Sequence, residues 1–108
     1  MDDKLSEKIS KHLESKNIPY EIKRFGGFNY FMVGGKVISA VMYDKLMIRC
    51  SAKQVKEFLK QPNVQVIEDH MGKPVKDKVL VKEDGLKTDE EMHKWLDIGI
   101  EFAANNQQ

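Results

Sequence analysis

The feature that most constrains the fold is a pair of apolar, β-forming runs separated by two glycines. The runs cover residues 28–33 and 37–43, and Gly34-Gly35 lies between them. Glycine tolerates the positive φ angles of tight turns, so this pattern predicts a β-hairpin. A strand with one wet face alternates apolar and polar residues, but both runs carry apolar residues at successive positions. We therefore expect the second face of this hairpin to be covered either by helices of the same chain or by another chain.

Three segments carry helix signals. Residues 3–16 place apolar side chains at every fourth position, which predicts one amphipathic helix. Ser51 is followed three residues later by Gln54, and Thr88 by Glu91. Both pairs match the capping box that opens a helix, so they predict a middle helix and a final helix.

Strand signals fill the rest of the chain, and they cluster before the middle helix. The predicted strands cover residues 20–25, 28–33, 37–43, 46–50, 64–68 and 78–81. The predicted order is therefore α-β-β-β(-β)-α-β-β-α. Strands in runs favour an α+β fold with an antiparallel sheet. Residues 1–108 are expected to form one domain, with a frayed tail at 104–108.

Charge and cysteine content argue against several function classes. The 18 basic and 17 acidic side chains leave a formal net charge of +1, so no strong field draws the chain to nucleic acid or to an anionic membrane. Cys50 is the only cysteine, which suits a reducing compartment, and the first residues do not resemble a signal peptide. We therefore expect a cytoplasmic protein with no membrane contact, no direct nucleic-acid binding and no cofactor. The three histidines lack the spacing of metal ligands, so no metal site is predicted either.

Several segments carry a resemblance to a known family, and residues 79–81 and 100–103 belong to them together with those that follow. Residues 24–36 read RFGGFNYFMVGGK, residues 44–49 read DKLMIR and residues 71–76 read MGKPVK; Trp95 lies in the final helix. In this order and spacing they resemble the N-terminal domain of TfoX/Sxy-type competence regulators, over about residues 5–104. The resemblance implies an α+β regulatory domain without catalytic activity.

The sequence departs from that family in two places. Arg24 stands where members often have methionine, and the second, helical domain of the two-domain regulators is not in this sequence. The resemblance therefore implies a fold and a class of protein. It does not imply regulation of competence genes.

Two arginines, Arg24 and Arg49, stand in or at the end of otherwise apolar strands. Such a side chain must reach solvent, pair with an acid or bind a ligand. Internal pairing, with Asp44, Glu21 or Asp69 as partner, is the simpler expectation. Gly26-Gly27 is expected to form a turn rather than an anion-binding loop, because a strand and not a helix follows it. If a ligand pocket exists, its predicted lining is Arg24, Phe25, Gly26, Gly27 and Arg49.

The apolar second face of the strands motivates the leading functional hypothesis. We expect a non-catalytic regulatory or interaction module that acts through a protein partner or as a homodimer. The alternative is a sensor of a small molecule or an anion. No nucleophile or acid–base motif is present, so enzyme activity is not expected. The predicted interface residues are Phe28, Tyr30, Met32, Val41 and Tyr43.

Overall fold

The computed structural model describes residues 3–105 of the chain. The element order confirms the predicted α+β class. The elements are α1 (Asp3–Ser15), β1 (Glu21–Phe25), β2 (Phe28–Val33), β3 (Lys36–Met42), β4 (Lys45–Arg49), α2 (Ala52–Phe58), β5 (Val64–Gln65), β6 (Lys78–Val81), a single 3-10 turn (Glu83–Gly85) and α3 (Asp89–Asn105).

All six strands join one antiparallel sheet in the order β1-β2-β3-β4-β6-β5. The first four strands form a meander, because each is joined to the next by a tight turn. The turn between β1 and β2 is formed by Gly26 and Gly27, whose φ angles are +61° and +86°. Positive φ at both central residues is the geometry of the two-residue hairpin turn, and it matches the twist of the flanking strands.

Both predicted capping boxes are present. The Ser51 hydroxyl accepts a hydrogen bond from the Gln54 backbone N–H, and the Gln54 side chain accepts one from the Ser51 backbone N–H. Thr88 and Glu91 make the same two bonds ahead of α3. These bonds satisfy backbone donors that would otherwise lack partners in the first helical turn.

The main core lies between the helices and one face of the sheet. Ile9 and Leu13 of α1, together with Trp95 and Leu96 of α3, are buried in one cluster with sheet residues such as Ile48. A Cβ atom on Gly99 would lie 2.5 Å from the carbonyl oxygen of Ile38, so α3 approaches β3 more closely there than any side chain would allow.

A β-bulge alters the side-chain alternation of β3. Phe31 pairs with Ser39, but the next residue of β2, Met32, pairs with Val37, which leaves Ile38 as the extra residue. Ile38 and Ser39 are both fully buried, and Ile38 belongs to the core cluster. An extra residue of this kind locally breaks the period of two that sequence patterns rely on.

Two predicted boundaries differ from the structure. The strand expected over residues 64–68 ends at Gln65, and Asp69 instead accepts hydrogen bonds from the backbone N–H groups of Met71 and Lys73 in a tight turn. The last helix continues through Ala104 and Asn105, where a frayed tail was expected, and residues 106–108 lie outside the described part of the chain. None of the helices within residues 3–105 is long and apolar enough to cross a membrane.

Candidate interaction surface

Apart from Ile38 at the bulge, the strand registers divide the sheet side chains between two faces. Paired residues of neighbouring antiparallel strands point to the same side, and successive residues point to opposite sides. One row across the sheet contains Phe31, Ile48 and Val79, which belong to the core under the helices. The residues next to these along each strand point to the other side of the sheet, away from the helices. We call the opposite side the open face; its apolar and aromatic residues are Phe25, Phe28, Tyr30, Met32, Val37, Ala40, Met42, Met47 and Leu80.

The open face has a thin apolar layer of its own. Ala40 and Met47 are 0% and 1% exposed, yet neither belongs to the cluster that contacts the helices. They pair with each other and lie in one row between Tyr30 and Leu80, which are half-buried. The open face is therefore apolar at its centre, whereas an ordinary solvated face would carry polar residues.

Four aromatic rings form a group at the end of the sheet that carries the Gly26-Gly27 turn. Phe25 contacts Tyr30 edge to face, with ring centroids 6.4 Å apart, and Phe28 contacts Tyr43 in the same way at 5.3 Å. Phe25 is 76% exposed and Tyr43 is 72% exposed. Exposed aromatic rings that are held in place by their neighbours are typical of the centre of protein interfaces.

Strand β1 forms one edge of the sheet, and all five of its residues are exposed. Its outer backbone groups have no neighbouring strand within residues 3–105. Glu21, Lys23 and Phe25 point to the open face, whereas Ile22 and Arg24 point to the helix side. The opposite edge is formed by β5, which is only two residues long. β1 is therefore the longer edge available for pairing with another strand.

The structure does not bring the predicted pocket residues together. Arg24 lies on β1 and Arg49 on β4, three strand spacings or about 14 Å apart across the sheet. Arg24 donates a hydrogen bond from Nη1 to Asn29 Oδ1 at 2.9 Å. The pocket predicted from Arg24, Phe25, Gly26, Gly27 and Arg49 is therefore wrong as a single site.

Arg49 is held by contacts within the chain. Its Nη2 lies 3.3 Å from Asp77 Oδ2, its Nε donates to the Asp77 carbonyl oxygen at 3.2 Å, and its guanidinium lies 5.0 Å from the centre of the Phe102 ring. Internal pairing with an acid was expected, but the partner is Asp77 and not Asp44, Glu21 or Asp69. These contacts tie β4 to α3 and to the segment before β6, so they explain the position of Arg49 without a ligand.

Three of the five predicted interface residues share the open face: Phe28, Tyr30 and Met32. The prediction for Val41 is wrong, because it pairs with Asn29 and Leu46 and lies 1% exposed in the helix-side core. Tyr43 does not follow the alternation of β3, since its φ of +62° places it in the turn to β4.

Sequence reasoning missed Glu21 and Lys23 as features of the surface. The signal was present, because opposite charges two residues apart in a strand lie on the same face. Its meaning depends on β1 being an edge, and the sequence does not give the order of the strands.

Three ionisable side chains, those of His12, Lys16 and Asp97, contact one another between α1 and α3. His12 Nε2 lies 2.8 Å from Asp97 Oδ1, and the Lys16 ammonium lies 3.2 Å from the same oxygen. The Ser15 hydroxyl, three residues after His12, donates a hydrogen bond to the His12 backbone carbonyl. The His12–Asp97 pair therefore joins α1 to α3 and has no nucleophile in hydrogen-bond contact among the described residues.

Cys50 is a buried free thiol that directly follows β4. Burial, with a further contribution from the Asp77 carboxylate, raises the pKa of the Cys50 thiol to about 11, so the reactive thiolate is disfavoured at neutral pH. Within residues 3–105, no group of three or more His, Cys, Asp or Glu side chains is placed to hold a metal ion.

Comparison with protein-family models, with curated proteins and with solved structures found no match to this chain. The resemblance to the TfoX N-terminal domain therefore stays a prediction from the sequence.

Proposed function

We propose that this chain is a non-catalytic regulatory or protein-interaction domain of the TfoX N-terminal type, which associates with another protein chain through the exposed surface of its sheet. The supporting observation is the exposed part of the sheet. At one end two aromatic rings, Phe25 and Tyr43, are 76% and 72% exposed, and all five residues of the β1 edge are exposed. Leaving such rings in water gives up a favourable free energy that burial against a partner would recover.

The other readings have weaker support. A small-molecule or anion sensor was expected to use Arg24 and Arg49 together, but they lie on strands three spacings apart. A net charge of +1 gives no general attraction to nucleic acid. The single cysteine suits the reducing cytoplasm, which we propose as the place where the domain acts.

The proposal is tested by the mass of the protein in solution, measured by light scattering over a range of concentrations. We expect a wild-type mass that approaches twice the 12.5 kDa of one chain. Phe25→Ser removes the most exposed ring of the sheet side and should lower the dimer fraction. Lys56→Glu changes an exposed residue of α2 and should leave the mass unchanged. A wild type that stays at the mass of one chain at every concentration would contradict self-association.

A further inference from the structure

We propose that β1 is the surface by which two copies of this chain bind each other, through antiparallel pairing of the two β1 strands centred on Ile22. This inference rests on the proposed function, because it names a second copy as the partner and an edge strand as the contact.

The turn between β1 and β2 decides which backbone groups of β1 face outward. In a two-residue hairpin, the residues that flank the turn form a hydrogen-bonded pair, here Phe25 and Phe28. Hydrogen-bonded pairs alternate along the strand, so Phe25, Lys23 and Glu21 direct their N–H and C=O groups toward β2. Ile22 and Arg24 direct theirs outward, and these are the groups that a second strand would use.

Charge then selects the register of the two β1 strands. Antiparallel pairing centred on Ile22 places Glu21 opposite Lys23 of the second copy, and Lys23 opposite Glu21 of the second copy. Both pairs lie on the open face at non-hydrogen-bonded positions, where side chains are closest. The neighbouring register, centred on Lys23, places the two Lys23 side chains opposite each other and is disfavoured by their repulsion.

The helix side of the same register is also complementary in charge. Pairing centred on Ile22 brings Arg24 of the second copy opposite Tyr20. The Tyr20 hydroxyl donates a hydrogen bond to Glu14 Oε2 at 2.8 Å, so a carboxylate lies beside that position. The two Ile22 side chains, each 48% exposed, meet at the two-fold axis and cover each other.

The charges of β1 therefore act on pairing in two ways: they discourage pairing with other strands and they favour one register with a second copy of β1. A lysine on an exposed edge discourages pairing with most strands, which protects against aggregation. Glu21 favours pairing with a second copy of β1 in the register centred on Ile22, because it then lies opposite Lys23 of that copy. The resulting dimer has one continuous sheet, with all helices on one side and both open faces on the other.

Charge reversal tests the register directly. Glu21→Lys places like charges opposite each other at both pairs, and Lys23→Glu does the same with the opposite sign. Each variant alone should dimerise at least about tenfold more weakly than the wild type. An equal mixture of the two variants should dimerise as well as the wild type, to within about threefold, because lysines then face glutamates at both pairs. The double variant Glu21→Lys/Lys23→Glu should dimerise equally well.

The readouts are solution mass by light scattering and dissociation constants by analytical ultracentrifugation, with circular dichroism to verify that each variant is folded. A mixture that stays as monomeric as its components would overturn the Ile22-centred register. Tyr43→Asp supplies the control at the exposed aromatic end of the sheet, because Tyr43 lies in the turn between β3 and β4 and not on β1, and it should leave the dimer intact. If Tyr43→Asp separates the two chains while the charge reversals do not, the contact includes the exposed aromatic rings and not the β1 edge. The edge inference then fails and the proposed function stands. A monomeric wild type would refute both.

Discussion

Replacing Gly99 by alanine should destabilise the domain, although alanine is the better helix former. In an exposed helical position the exchange from glycine to alanine stabilises by about 1 kcal/mol. At Gly99 the new Cβ atom would lie 2.5 Å from the Ile38 carbonyl oxygen, well inside the 3.4 Å at which ordinary contact begins. The obstacle is backbone in a central strand, so it cannot move aside as a flexible side chain could.

The magnitude follows from these two opposing terms. Overpacking of this kind costs about 1–3 kcal/mol, and a backbone obstacle places Gly99→Ala near the upper end. After the gain in helix propensity, we expect a net loss of about 2 kcal/mol in the free energy of unfolding. For a domain of this size, that lowers Tm by roughly 10 °C.

Urea unfolding followed by circular dichroism measures the effect. Lys94 supplies the control, because it is exposed on the same helix: Lys94→Ala should be more stable than Lys94→Gly by about 1 kcal/mol. Both control variants lose the contact of Lys94 with the Trp95 ring, so it cancels in their difference. A Gly99→Ala variant that gains stability by the same amount would refute the close approach of α3 to β3.

Three further predictions concern single contacts. Ser51→Ala removes the cap of α2 and should cost about 1 kcal/mol in urea unfolding, whereas an unchanged midpoint would mean that the cap contributes nothing. Burial alone would raise the pKa of Asp97, but hydrogen bonds from His12 and Lys16 outweigh it and leave the pKa below its usual 3.8. The stability gained from this lowered pKa is present above pH 3.8 and is lost as the pH falls through the folded-state pKa. Asp97→Asn should therefore be less stable than wild type at pH 7, and the difference in the free energy of unfolding should disappear in acid. A difference that does not depend on pH would contradict this. Because burial raises the pKa of Cys50 to about 11, iodoacetamide at pH 8 should modify this thiol only after unfolding in urea, and rapid labelling of the folded protein would show that it is accessible.

Local signals in the sequence predicted most of the fold. The Gly26-Gly27 turn and the capping box at Ser51 each depend on a few neighbouring residues, and the structure confirms both. The predicted order of elements is confirmed for the same reason. The errors at Val41 and at the Arg24–Arg49 pocket depend on pairing between distant segments.

The placement of Val41 illustrates the limit. Its side chain belongs with Asn29 and not with Tyr30, which only the register between β2 and β3 reveals. The bulge at Ile38 changes that register, and no turn residue marks it in the sequence. Arg24 and Arg49 were likewise grouped by their unusual strand environments, and only the strand order shows that they lie far apart.

Amide hydrogen exchange measured at low and high protein concentration tests association through the β1 edge most directly. We predict that the backbone amides of Ile22 and Arg24 exchange more slowly as the concentration rises, because these are the outward groups of β1 that a second copy would bind. The amides of Lys23 and Phe25 face β2 and should change less, and those of the helices should not change. Exchange at Ile22 and Arg24 that does not depend on concentration, or slowing confined to the helices, would contradict association through the β1 edge of the sheet.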